Sequence, residues 1–179
     1  GTDKTVPMAQ SFLKRFNALI PLPRFIGFLI GISVAGQLIV IIYNNFSGFY
    51  PLQSFTHFLL RLFRGVILTI PAAALIAVPD LLIISWLNRR LPWNRRVIAR
   101  IAVQFPASMT LAVTASVLMT LAANGITPYS EDLSLVLLYN ALIYSVVNII
   151  MMGVFEAWIF FRNSADAARK AEQLERELS

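Results

Sequence analysis

Cysteine is absent from the sequence, and His57 is the single histidine. Without cysteine the chain can form neither disulfides nor thiolate metal sites. One histidine alone disfavours a zinc or haem centre, so we expect no metal and no cofactor. The sequence also lacks a glycine-rich nucleotide loop and the pattern of a catalytic triad, and we assign no catalytic residue.

Charged residues are scarce as well, at 13% of the 179 residues, whereas about 25% is typical of soluble domains. Hydrophobic residues make up 58%, and the mean hydropathy is +0.70. This composition predicts an integral membrane protein with the lipid bilayer as its partner. The net charge of +6 does not indicate nucleic acid binding, because the basic residues stand at the ends of apolar runs.

Four apolar runs approach or exceed the ~20 residues that a helix needs to cross hydrocarbon, at residues 25–43, 58–87, 101–123 and 133–161. The predicted fold is an all-α membrane protein with a bundle of four transmembrane helices. We expect residues 1–7 to be an expression remnant before a native Met8. Residues 10–20 carry apolar side chains on one helical face, which predicts an interfacial helix on anionic lipid.

The expected domains are residues 1–24 for this leader, 25–161 for the transmembrane domain and 162–179 for a cytoplasmic signalling helix. All Lys and Arg residues except Arg61 and Arg64 lie in the N-terminal segment, in residues 88–100 or after residue 161. The positive-inside rule places these three regions in the cytoplasm. Both termini are therefore predicted to be cytoplasmic, with two short outer loops.

The last apolar run continues into RNSADAARKAEQLERELS, which contains neither Pro nor Gly and is rich in helix formers. We predict one helix that leaves the membrane without a break. Ala167, Ala171, Leu174 and Leu178 follow a heptad rhythm, which predicts the seam of a coiled-coil-like homodimer. A solvated juxtamembrane helix is the alternative. The pattern is unfinished at Ser179, from which we expect a chain cut from a longer one.

Two carboxylates, Asp80 and Glu156, lie inside apolar runs at a similar distance from the cytoplasmic boundary. A charged carboxylate there costs about 2.5–3.5 kcal/mol on insertion scales, which suggests a function. One interpretation is a switch, or a site for a proton or cation. The other is interhelical hydrogen bonding, or an ion pair with Arg100 or Arg89.

Three cationic side chains share one face at the outer end of the second span, namely His57, Arg61 and Arg64, at i, i+4 and i+7. They could bind an anionic ligand or a lipid phosphate. They could equally pair with Glu131 and Asp132 in the second outer loop.

Residues 155–179, FEAWIFFRNSADAARKAEQLERELS, carry a family pattern. Phe155, Glu156 and Ala157 form an aromatic, a Glu and a small residue at the end of the last span, and Lys170 begins the run KAEQL. This segment resembles the one that precedes the phosphoacceptor region of LytS-like sensor histidine kinases, of the short-loop, four-span type common in Bacteroidetes. Nothing here resembles the phosphoacceptor box or the ATP-binding boxes of those kinases.

The resemblance implies the membrane sensor domain of a two-component kinase, with the kinase part absent from this chain. It implies a homodimer in the bacterial inner membrane and a cytoplasmic kinase domain in the full-length protein. The hypothesis is a sensor and signal-transmission domain. The alternative is a small secondary transporter that uses Asp80 and Glu156 for ion coupling, and a third possibility is a membrane scaffold.

Overall fold

The computed structural model describes residues 5–48 and 50–179, without the side chains of residues 5–7 and 9. Of the expected expression remnant, residues 1–4 lie outside the described part. The described chain contains five helices and no strand, which confirms the all-α fold class. The helices are α1 (Thr5–Leu19), α2 (Leu22–Phe46), α3 (Phe55–Arg90), α4 (Val97–Ile126) and α5 (Leu133–Leu178).

Helices α2, α3, α4 and α5 are long and apolar enough to cross a membrane. The four predicted spans are thereby confirmed, and the chain is a multi-pass membrane protein. Three of the helices continue for about three or four residues beyond both predicted ends, since backbone hydrogen bonding does not stop where the apolar residues stop. α3 runs through both Pro71 and Pro79.

The chain divides into two compact units, Gly1–Ile76 and Ala77–Ser179. In the first unit α1 turns directly into α2, and Phe16 and Phe25 meet edge to face with ring centroids 5.0 Å apart. The side-chain oxygen of Asn17 accepts a hydrogen bond from the backbone N–H of Leu22 at 3.0 Å, which satisfies a free donor in the first turn of α2.

Further along the first unit, one polar contact joins α2 to α3. Nε2 of Gln37 donates to Oγ1 of Thr69 at 2.8 Å, and that hydroxyl donates to the carbonyl of Gly65 at 2.6 Å. A Cβ on Gly65 would collide with the Gln37 side chain. Glycine at this position therefore lets the two helices approach closely enough for the amide to reach Thr69.

In the second unit α4 and α5 pack side by side, and their bonded residues show that they run antiparallel. As the residue number falls along α4 it rises along α5, through the pairs Thr120–Asn140, Ser108–Asn148 and Arg100–Glu156. The end of α3 in this unit is also well packed, with fully buried side chains at Leu81, Ile84 and Leu87.

α5 is one unbroken helix of 46 residues, as the sequence predicted. It begins at the cap Asp132, whose carboxylate accepts a hydrogen bond from the backbone N–H of Ser134 at 3.3 Å. Its last part, residues 163–179, is exposed throughout. At about 1.5 Å per residue this helix is roughly twice as long as the ~30 Å hydrocarbon core.

Candidate functional site

The second unit contains a polar face on α4, repeated at every fourth residue. Its members are buried and lie one above the other, since residues four apart share one side of a helix. We call this the inner face of α4; it consists of Arg100, Gln104, Ser108, Ala112, Ser116 and Thr120. In a helix surrounded by lipid, polar side chains turn inward because they must find partners there.

Arg100 and Glu156 form an ion pair at one end of this face. Nη2 of Arg100 lies 2.7 Å from Oε1 of Glu156, and the Arg100 side chain is completely buried, while that of Glu156 is 21% exposed. Nε2 of Gln104 donates to the same carboxylate oxygen at 2.9 Å, and Nε1 of Trp93 donates to the other oxygen at 3.0 Å. Both oxygens of Glu156 therefore accept hydrogen bonds.

The guanidinium of Arg100 also donates hydrogen bonds to several acceptors. Nε donates to Oε1 of Gln104 at 3.1 Å, and Nη1 donates to Oδ1 of Asn88 and, at 3.4 Å, to the carbonyl of Leu91. The guanidinium carbon lies 4.5 Å from the ring centroid of Trp93, within cation–π range. A buried charge with a partner and this many acceptors is held in one position. We call this group of side chains the Arg100–Glu156 centre.

Asp80 lies in a second group, which we call the Asp80 cluster: Asp80 of α3, Ser108 of α4 and Asn148 of α5. All three are fully buried. The Ser108 hydroxyl donates to Oδ1 of Asp80 at 3.0 Å, and Nδ2 of Asn148 donates to the Ser108 hydroxyl at 2.6 Å and to its carbonyl at 3.3 Å. Oδ2 of Asp80 and Oδ1 of Asn148 have no hydrogen-bond partner in the described chain.

The two carboxylates thus have different partners. Asp80 bonds to Ser108, whereas Glu156 bonds to Gln104 and Arg100. Gln104 lies one turn from Ser108 along the inner face of α4, and Arg100 lies two turns from it. One turn corresponds to roughly 5–6 Å. No hydrogen bond joins the two carboxylates among the described residues. Of the two sequence-based interpretations, the contacts of Glu156 match the ion pair with Arg100, and the contact of Asp80 matches interhelical hydrogen bonding.

The outer cationic face lies in the first unit. Nη1 of Arg61 donates to the carbonyl of Tyr50 at 3.2 Å, and its guanidinium carbon lies 4.3 Å from the Tyr50 ring centroid. Nδ1 of His57 accepts from the backbone N–H of Gln53 at 3.3 Å, and Arg64 is exposed. Arg61 and His57 therefore help to order the loop between α2 and α3. Binding of an anion or a lipid phosphate, and pairing with the second outer loop, stay predictions.

The four residues of the predicted dimer seam, Ala167, Ala171, Leu174 and Leu178, are all exposed in the single chain. Leu174 is 59% exposed and Leu178 is 88% exposed. Exposed leucines at these positions leave an apolar stripe uncovered, and a coiled coil buries such a stripe against its partner.

Sequence reasoning missed Ser108 and Asn88, and it treated Arg100 as part of a cytoplasmic basic loop. The structure instead places Arg100 within α4, in the core. The four-residue spacing from Arg100 through Gln104 to Ser108 was the available signal, since it predicts a polar stripe on one side of a helix. Trp93, in the loop between α3 and α4, also donates a hydrogen bond to Glu156.

Comparison of the chain with protein-family models, with curated proteins and with solved structures finds no match.

Proposed function

We propose that this protein is a dimeric transmembrane signal-transmission module, in which α5 carries a conformational change from the membrane to the cytoplasm. The observation that carries the proposal is the continuity of α5 from Leu133 to Leu178. A helix without a break transmits rotation or translation along its length, whereas a loop at the membrane boundary would absorb it. The pattern-level resemblance to LytS-like sensor kinases supports the same function.

The contacts between α4 and α5 supply the element that such a module needs. The ion pair of Arg100 with Glu156 and the hydrogen bonds of Asn148 to Ser108 fix the rotational setting of α5 against α4. Breaking a few bonds of this kind would allow a second setting. A two-state signalling equilibrium shifts when contacts that are made in only one of the two states are lost.

Dimerisation is the second part of the proposal. The seam residues Ala167, Ala171, Leu174 and Leu178 would meet their counterparts in a second copy, and residues 162–179 would form the cytoplasmic signalling helix. The distribution of Lys and Arg supports cytoplasmic termini, and the resemblance to LytS-like kinases supports a bacterial inner membrane. In the full-length protein we expect a histidine kinase domain to follow.

The alternative of a small secondary transporter relied on Asp80 and Glu156 as a shared ion site. Their carboxylates bond to different side chains, and both oxygens of Glu156 already accept hydrogen bonds. This arrangement supports a shared site less well than it supports a fixed helix contact.

The test uses a nitroxide spin label at Arg169, an exposed position off the seam. Because the chain has no cysteine, Arg169→Cys gives one label per copy in lipid nanodiscs. Pulsed dipolar spectroscopy then measures the distance between the two copies. Glu156→Gln should shift or broaden the distance distribution, since it releases α5 from Arg100.

Glu172→Gln is the matched control, because Glu172 forms an exposed ion pair with Arg176 on the same helix and does not touch α4. It should leave the distribution unchanged. Identical distributions for wild type and Glu156→Gln, or the absence of any distance between copies, would contradict the proposed function.

A further inference from the structure

The Asp80 cluster has a feature that helix packing alone does not require. An uncharged side chain with an amide oxygen could fill the space of Asp80 and accept the hydrogen bond from Ser108 equally well. Instead a carboxyl group with 0% exposure stands inside a membrane helix and receives one hydrogen bond. An ionised carboxylate with so few donors is costly to bury.

The hydrogen bonds of the cluster run in one direction. Asn148 donates to Ser108, and Ser108 donates to Oδ1 of Asp80. At the two ends stand two acceptor atoms without a donor in the described chain, Oδ2 of Asp80 and Oδ1 of Asn148. A proton on Oδ2 makes Asp80 neutral and turns that oxygen into a donor, and the amide oxygen of Asn148 is an acceptor available in the same cluster.

Other charges in the second unit do not neutralise Asp80. On α4 the nearest charge is Arg100, two turns away, and on α5 it is Glu156, two turns from Asn148; these two are paired with each other. Tyr144, one turn before Asn148, is the remaining titratable group near the cluster on α5. On α3 the buried neighbours Ala77, Leu81 and Ile84 are apolar.

A metal cation fits less well than a proton. Hard cations such as Mg²⁺ and Ca²⁺ take about six or more oxygen ligands, whereas the cluster offers two unpartnered oxygens. Among the residues that the structure describes, no group of three His, Asp or Glu side chains comes together. A proton needs a single oxygen.

We propose that Asp80, Ser108 and Asn148 form a proton-binding site inside the membrane, with the proton carried on Oδ2 of Asp80. Uptake forms one O–H bond with a proton from water and converts the carboxylate into a neutral carboxylic acid; release breaks that bond and restores the charge. Ser108 and Asn148 are positioning residues. The site joins α3, α4 and α5, so release of the proton weakens the packing of all three. This inference does not rest on the proposed signalling role.

Infrared difference spectroscopy of the protein in nanodiscs tests the site directly. A protonated carboxyl group has a C=O stretching band that an ionised carboxylate lacks. Wild-type protein should show this band at neutral pH, and it should shift when aspartate is isotope-labelled at the side-chain carboxyl carbon. The label distinguishes an aspartate from a glutamate such as Glu156, and variants then identify which aspartate carries the proton. The absence of a label-sensitive band at neutral pH would overturn the proposal.

Two variants assign the band to its residue. Asp80→Asn should abolish the band, whereas Asp166→Asn, the same change at an exposed position of α5, should retain it. Ser108→Ala should shift the frequency, because it removes the hydrogen bond to Oδ1. Exchange of K⁺ for Na⁺ should leave the band unchanged. Persistence of the band in Asp80→Asn, or its loss on addition of Na⁺, would contradict a proton site at Asp80.

Discussion

Replacement of Arg100 or Glu156 by methionine should destabilise the protein strongly, and replacement of both should not add the two losses. Each single change removes one member of an ion pair whose atoms are 2.7 Å apart and leaves the other charge without its partner. Methionine is close in length and carries no charge, so the packing volume changes little.

The size of the expected loss in unfolding free energy follows from the burial of the ion pair. Removing one partner of a buried ion pair typically costs about 3–5 kcal/mol, whereas replacing both by apolar residues is often close to neutral. Since Glu156 is 21% exposed, we expect the lower end, about 3 kcal/mol for each single change. The double variant should be no less stable than the worse single variant.

The chain contains its own control. Arg176 and Glu172 form an ion pair with a similar distance of 2.6 Å, but their side chains are 78% and 60% exposed. Exposed pairs at i and i+4 contribute about 0.3–0.5 kcal/mol. The same set of methionine variants at Arg176 and Glu172 should therefore have an effect several times smaller, because burial and not distance decides the energy.

Reversible unfolding in mixed micelles with a rising fraction of SDS, followed by circular dichroism, measures these free energies. A double-mutant cycle then gives the coupling between Arg100 and Glu156. Losses below about 1 kcal/mol for both single variants, or additive losses in the double variant, would refute the view that this pair fixes α5 against α4.

Three further predictions concern other parts of the chain. Gly65→Ala should lower the free energy of unfolding by about 1 kcal/mol, because the new Cβ displaces Gln37 from Thr69; an unchanged stability would contradict the close approach of α2 and α3. Asn140→Leu should cost about 0.6 kcal/mol through the lost 2.9 Å hydrogen bond to Thr120, measured by the same unfolding assay, and a stabilised variant would contradict that role. Reporter fusions after Gly48 and after Tyr129, in the two short loops, should report an external location. A fusion after Arg95, in the basic loop, should report a cytoplasmic one.

The spans and the unbroken last helix could be predicted from the sequence because they depend on local properties. A run of ~20 apolar residues must form a helix in lipid, and the polar end of α5 contains no residue that would stop it. The seam at Leu174 and Leu178 follows from the same local periodicity, and its pairing stays a prediction.

The candidate site could be predicted only in part, because partners across helices depend on register. Asp80 and Glu156 stood out as charges in apolar runs, yet their partners come from α4. Arg100 was assigned to the basic loop of residues 88–100, and it was also one of two arginines named as a possible ion-pair partner of the carboxylates. The carboxylate of Glu156 in α5 makes this burial possible. The sequence offered that ion pair as one alternative, and no local pattern selects it over the others.

Thr110 and Ser108 also show that contacts between helices cannot be predicted from residue type. Both are small hydroxyl residues of α4, two positions apart. Thr110 faces outward and donates to the carbonyl of Pro106 in its own helix at 2.8 Å, whereas Ser108 connects α3 to α5. Packing decides which side of α4 faces the protein, and amino-acid composition does not predict it.

Disulfide crosslinking along the exposed end of α5 tests the central claim most directly. Single cysteines are introduced into the cysteine-free chain, and the membranes are oxidised. If two copies meet along the seam, efficient crosslinking is expected at the seam positions and weak crosslinking off it. The seam positions are Ala167, Ala171, Leu174 and Leu178, and the off-seam controls are Arg169 and Gln173. A uniform profile along the helix would contradict a dimer joined through α5.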